Sequence, residues 1–124
     1  MIALNKLTTG YISEEISKDL DLTIEKGALV GVLGSNGIGK STLLKTLAGF
    51  ENPLNGTITI DGKDIHEMSP IDRAKNLSIV LTERSLSGDL LGKEVIQLGR
   101  QPYTNWIGSQ KAKDRELVSE TIEQ

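Results

Sequence analysis

Gly34-Ser35-Asn36-Gly37-Ile38-Gly39-Lys40-Ser41-Thr42 follows directly on the apolar run Ala28-Leu29-Val30-Gly31-Val32-Leu33. The stretch matches the spacing G-x-x-x-x-G-K-[ST] through Gly34, Gly39, Lys40 and Ser41. Glycines at these positions let the backbone turn successive N–H groups inward, toward the α- and β-phosphates of a bound anion. A helix opening at Lys40–Ser41 would add its unpaired N-terminal donors and the positive end of its dipole. In that cradle Lys40 neutralises the β- and γ-oxygens, Ser41 ligates Mg2+ and Thr42 reaches the α-phosphate. The apolar strand before the loop and the helix after it are the context that separates such a site from a chance glycine-rich turn.

Working outward, the spacing predicts strands over Ile2–Thr9 and over Leu20–Glu25, the latter from the alternation of Leu20, Leu22 and Ile24. Glu25-Lys26-Gly27 reads as a turn, and Ala28–Leu33 as a strand buried on both faces. Beyond the loop, Leu43, Leu44 and Leu47 give the helix an apolar face, and Gly49 stops it. Thr57–Ile60 alternates and turns at Asp61-Gly62, a two-residue hairpin signal. Ser69-Pro70 reads as an N-cap with proline at the first helical position, ahead of a short helix near Ile71–Asn76. Leu77–Leu81 is a second buried-strand candidate. Thr82–Gly92 is polar, Lys93–Arg100 a short helix, and Ser109–Gln124 a final helix with Leu117, Val118, Thr121 and Ile122 on one side.

A length of 124 residues fits one domain at most. The balance of 14 basic against 17 acidic residues lacks the basic face of a nucleic-acid binder. The absence of cysteine excludes a disulfide framework and a thiolate zinc site, and a single histidine disfavours a histidine-based metal centre. No charged leader with an apolar segment opens the sequence, and the longest apolar run is too short for a bilayer. A cytoplasmic chain is expected, its membrane role supplied by a partner.

The run LDLTIEKGALVGVLGSNGIGKSTLLKTLAGFENPLNGTITIDGKDI, continued by MSPIDRAKNLSIVL, resembles the first half of an ATP-binding-cassette (ABC) transporter ATPase from about Leu4 onward. VIQLGRQPYTNW is similar to the "GR-x-P" segment of importers for iron-siderophores, haem and cobalamin. The resemblance implies an α/β fold of the P-loop kind, with a nucleotide-binding core over residues 1–81 made of an N-terminal antiparallel β-subdomain and the P-loop. An incomplete helical subdomain is expected over 82–124. It also implies that Tyr11 stacks on adenine, a reading preferred here over a tyrosine packed on the first sheet. The cofactors implied are ATP and Mg2+. The partners implied are a transmembrane permease contacting residues after Thr82, and a second ATPase subunit. The location implied is the inner face of the membrane.

Two positions depart from the family pattern. Where the family carries a glutamine after the second buried strand, this sequence has Thr82 and Glu83. Thr82 offers a water-mediated metal contact and Glu83 a direct ligand, although neither reproduces an amide; two solvated loop residues is the other reading. Ile38 is bulkier than the usual residue and fits if its side chain points outward.

Hydrolysis in this family resembles other P-loop chemistry and requires an Asp-Glu strand end, an LSGGQ signature and a switch histidine, none of which occurs in these 124 residues. Ser85-Leu86-Ser87-Gly88-Asp89 lacks the second glycine and the glutamine and is rejected as a signature. Glu116, Glu120 and Glu123 read as solvated charges and His66 as a surface residue. Tyr103 and Trp106 lie either near the permease-facing surface or in the helical core. The expectation is the N-terminal half of an importer ATPase, binding nucleotide without useful turnover. Alternatives are a non-catalytic nucleotide-sensing module of natural short length and a purely structural fragment. A GTPase is disfavoured because no N-K-x-D follows the loop.

Overall fold

The first strand, β1 (Ile2–Tyr11), runs between two antiparallel partners, β2 (Glu14–Ile24) and β3 (Asn55–Ile60), and β3 turns into the short β4 (Lys63–Asp64). The order across the sheet is β2-β1-β3-β4. The computed structural model describes residues 1–12, 14–80, 91–104 and 112–122.

In β1 the buried leucines, Leu4 and Leu7, are three residues apart, which plain alternation forbids. Lys6 of β1 and Asp19 of β2 take positive φ values of 45° and 48°, and the strand register shifts at both points. Each shift inserts one extra residue and returns the next leucine to the core face, so that Leu7 pairs with Leu20. The core consists of Leu4, Leu7, Ile58, Ile60 and Ile65, with Ile2, Leu20, Leu43, Leu47, Met68 and Leu77 packed around them. Burying Leu7 or Ile58 contributes roughly 1.5–3 kcal/mol each.

Helix α1 (Lys40–Leu47) lays Leu43 and Leu47, one turn apart, on this core, while Leu44 is 48% exposed and lies off the apolar face assigned to it from sequence. The helix ends in a Schellman arrangement: Phe50 N–H donates to the Lys45 carbonyl (2.9 Å) and Gly49 N–H to that of Thr46 (3.0 Å). That closure needs a left-handed residue, and Gly49 supplies it at φ 72°. Asp61-Gly62 makes the expected two-residue turn between β3 and β4. The N-terminal ammonium donates to Asp61 Oδ1 (2.8 Å) and holds that exposed carboxyl below its usual range. Helix α2 (Pro70–Asn76) opens as predicted, with Ser69 Oγ accepting from Asp72 N–H (3.1 Å) and Pro70 at the first position.

Two expectations fail. Ala28–Leu33 forms no strand; Leu29 is 101% and Leu33 95% exposed. Leu77–Val80 likewise has no regular structure, and Val80 is 97% exposed, with Leu81 outside the described residues. An apolar run becomes a strand only where another strand pairs its backbone. Among the described residues neither run belongs to the sheet. His66 also differs from its surface assignment. Its backbone N–H donates to Asp64 Oδ1 (2.8 Å), and its Nε2 is buried with no hydrogen-bond partner among the described residues.

These elements make up one compact unit, Met1–Ser78; a second spans Ile79–Gln124. The second contains α3 (Gly92–Leu98), a 3-10 turn (Gln101–Tyr103) and α4 (Ala112–Ile122). Arg100 Nε and Nη2 both donate to Asp114 Oδ1 (3.0 and 2.6 Å), and the guanidinium lies 4.1 Å over the Tyr103 ring. Asp114 and Val118 are the buried residues of α4, whereas Glu116 and Glu120 are exposed. Trp106, Glu123 and residues 85–89 lie outside the described residues.

Candidate functional site

The loop and helix follow the order the motif predicts: Gly34 and Ser35 without regular structure, a turn at Asn36-Gly37, then Ile38 and Gly39 leading into α1. Gly39 is the N-cap, left-handed at φ 101° and ψ 11°. A side chain here would do more than strain the backbone. A Cβ at this position would overlap Cγ2 of Ile16, which β2 lays across the mouth of the helix. The glycine is therefore required both by its conformation and by this close approach.

Because the N-cap is a glycine, no side chain caps α1, and its first turn holds no acidic residue. The first N–H groups and the positive dipole end are thus left to an external anion. Lys40 reaches back across the loop, its Nζ donating to the carbonyls of Gly34 (2.8 Å) and Ser35 (2.7 Å). An ammonium has three donors, so the two carbonyls fix its position and leave one donor and the full charge for an anion. Ser41 is exposed on the first turn, whereas Thr42 is buried, with its carbonyl accepting from Thr46 Oγ1 (2.8 Å). Ile38 is 58% exposed and lies over Gly34, its bulk directed away from the core.

Tyr11 ends β1 opposite Glu14, 54% exposed, on the same end of the hairpin as Ile16. That end is the one that touches the loop, through the Ile16–Gly39 contact. An isoleucine in a strand carries no motif, so the sequence does not mark Ile16; the close approach to Gly39 shows its part. Thr82 and Glu83 lie outside the described residues.

Among the described residues no group of three or more His, Cys, Asp or Glu could hold a metal. The exposed hydroxyl of Ser41 suits a hard cation that takes its other ligands from phosphate and water oxygens. A cavity of about 460 Å3 lies elsewhere, between β4 and α2, lined among others by Asp64, Glu67 and Asp72. Its carboxylates would repel a polyphosphate. No helix among the described residues is long and apolar enough to cross a membrane.

A family profile described as ABC transporter matches residues 17–123. The chain is 37% identical over 123 residues to the achromobactin transport ATP-binding protein of Dickeya dadantii, covering 99% of this chain and 46% of the relative. It is 36% identical over 110 residues to the hemin import ATP-binding protein of Pseudomonas entomophila, covering 89% of this chain and 42% of that one. Other relatives are named for petrobactin, iron(3+)-hydroxamate and cobalamin import. Among solved structures, the ATP-binding subunit of an ABC transporter superposes with a TM-score of 0.74 at 25% identity, over 83% of this chain and 42% of that one. The chain thus spans less than half the length of these relatives.

Proposed function

The chain belongs to the ABC transporter family, and from that premise we propose that it is the nucleotide-binding part of an importer ATPase of the iron-siderophore, haem or cobalamin type. The observation that carries this reading is the loop itself. Lys40 is held on the carbonyls of Gly34 and Ser35 at the uncapped opening of α1. The names of the relatives support the substrate class.

The residues divide the work by chemistry. The N–H groups of Gly34–Thr42 bind the phosphate oxygens, Lys40 neutralises their charge, and Ser41 contributes a hydroxyl to Mg2+. Tyr11 offers its ring to adenine, and Ile16 packs behind the loop. When bound, Mg2+ screens the phosphate charge. Thr82 and Glu83 are proposed to stand where the metal and the permease are sensed, and residues beyond Thr82 to face the permease. A second ATPase subunit and a place on the inner face of the membrane complete the proposal.

These 124 residues contain neither an LSGGQ signature nor an apolar strand ending in Asp-Glu. We infer that the chain by itself binds Mg·ATP without appreciable turnover. Equilibrium binding of ATP against GTP, followed by a steady-state phosphate-release assay, tests both points. ATP binding with phosphate release at the background rate is expected. Equal affinity for GTP, or robust release, overturns the respective part.

A further inference from the structure

The two ends of α1 are treated differently. Its N-terminal end faces the loop, and its C-terminal end is covered by a side chain from another helix. A Cβ at Gly49, the residue that closes α1, would stand 2.8 Å from Arg73 Nη1 and 3.0 Å from its Cδ. Both the guanidinium and the methylene stem of Arg73 therefore lie on Gly49, in the space its missing side chain leaves. The last carbonyls of α1 gather the negative end of the helix dipole at this place, which suits a cation. Arg73 itself is fixed by α2: its N–H donates to the Ser69 carbonyl (2.9 Å), and its carbonyl accepts from Leu77 N–H (3.0 Å). Leu77 packs on the core, and the chain continues from it toward Thr82 and Glu83.

We propose that Arg73 is a positioning residue that ties the phosphate-loop helix to α2, so that an anion bound at the loop orders the segment leading out of α2. The inference rests on the nucleotide reading above. Helix α1 has eight residues and is about 12 Å long, short and stiff enough to move as one piece. An anion that draws in its first turn shifts Gly49 with it, and the guanidinium carries that displacement to α2. Without Arg73 the loop keeps its donors and its lysine, while α2 loses its hold on the helix.

Amide hydrogen exchange of the full 124-residue chain, with and without saturating Mg·ATP, reads both segments at once. In the native chain nucleotide is expected to slow exchange over residues 34–42 and also over 70–80, the latter by about fivefold or more. Arg73→Met, which keeps the stem and removes the charge, should retain the first effect and lose the second, and Arg73→Lys should restore part of it. Slowing at 34–42 but not at 70–80 in the native chain, or an Arg73→Met chain that keeps both, overturns the inference and leaves the nucleotide reading intact. No slowing at 34–42 in the native chain overturns the nucleotide reading and this inference with it. Loss of protection throughout Met1–Ser78 in Arg73→Met without nucleotide would reduce Arg73 to a structural role and also overturn it.

Discussion

Ile16 of β2 and Gly39 at the mouth of α1 meet so closely that no Cβ fits between them. The phosphate loop is thereby fastened to the first hairpin, and the hairpin end bearing Tyr11 is held at the same place. Gly39→Ala faces two costs, a left-handed backbone at φ 101° and the overlap with Ile16. The backbone alone costs on the order of 1–2 kcal/mol, and the overlap adds to it. Isothermal titration should find ATP affinity reduced at least tenfold, which corresponds to about 1.4 kcal/mol. Native-like affinity would remove the basis for the fastening.

Lys40→Ala removes the charge and frees the carbonyls of Gly34 and Ser35. A charge-assisted hydrogen bond contributes about 1.5–3 kcal/mol, and a triphosphate engages more than one. Nucleotide binding is expected to become undetectable by equilibrium dialysis, with the circular dichroism spectrum unchanged. Retained ATP binding would sink the assignment of the loop.

Tyr11→Ala should weaken ATP more than inorganic triphosphate. The ring is exposed and so available to a base, and base–aromatic stacking is worth about 1–3 kcal/mol. Competition of both ligands against a fluorescent nucleotide measures the difference. Equal losses for the two would refute stacking.

In the second unit, Arg100→Ala takes the guanidinium away from Asp114, whose side chain is 5% exposed. Breaking a buried pair costs about 3–5 kcal/mol, and the 27% exposure of Arg100 places this one at or below the lower end. Exchange protection of α4 amides should fall sharply while that of β1 and β3 stays. The GR-x-P segment would then owe Arg100 to this contact, with Tyr103 stacked beneath it. Unchanged α4 protection would show the pair to be dispensable.

The parts of the structure that were legible in the sequence are those fixed by neighbours along the chain. Ser69-Pro70, Asp61-Gly62, Gly49 and the Gly39-Lys40 junction each act within a few residues, so a short window contains their cause. The misses have distant causes. The bulges at Lys6 and Asp19, which put Leu4 and Leu7 on one face, depend on strand pairing. Ala28–Leu33 has the composition of a buried strand, but composition does not provide the strand that must pair with it. Ile16 and Arg73 matter through glycines 23 and 24 positions away in sequence (39 − 16 and 73 − 49), beyond the reach of any local pattern.

The bare run Ala28–Leu33 has a further consequence, for how the chain behaves in a tube. It is rich in β-branched and aliphatic residues and carries no charge and no proline. Leu29 and Leu33 stand wholly in solvent. Such a segment is a template on which identical copies stack edge to edge. Solubility should therefore fall steeply with concentration, and chaperones that capture extended apolar peptides should bind this segment.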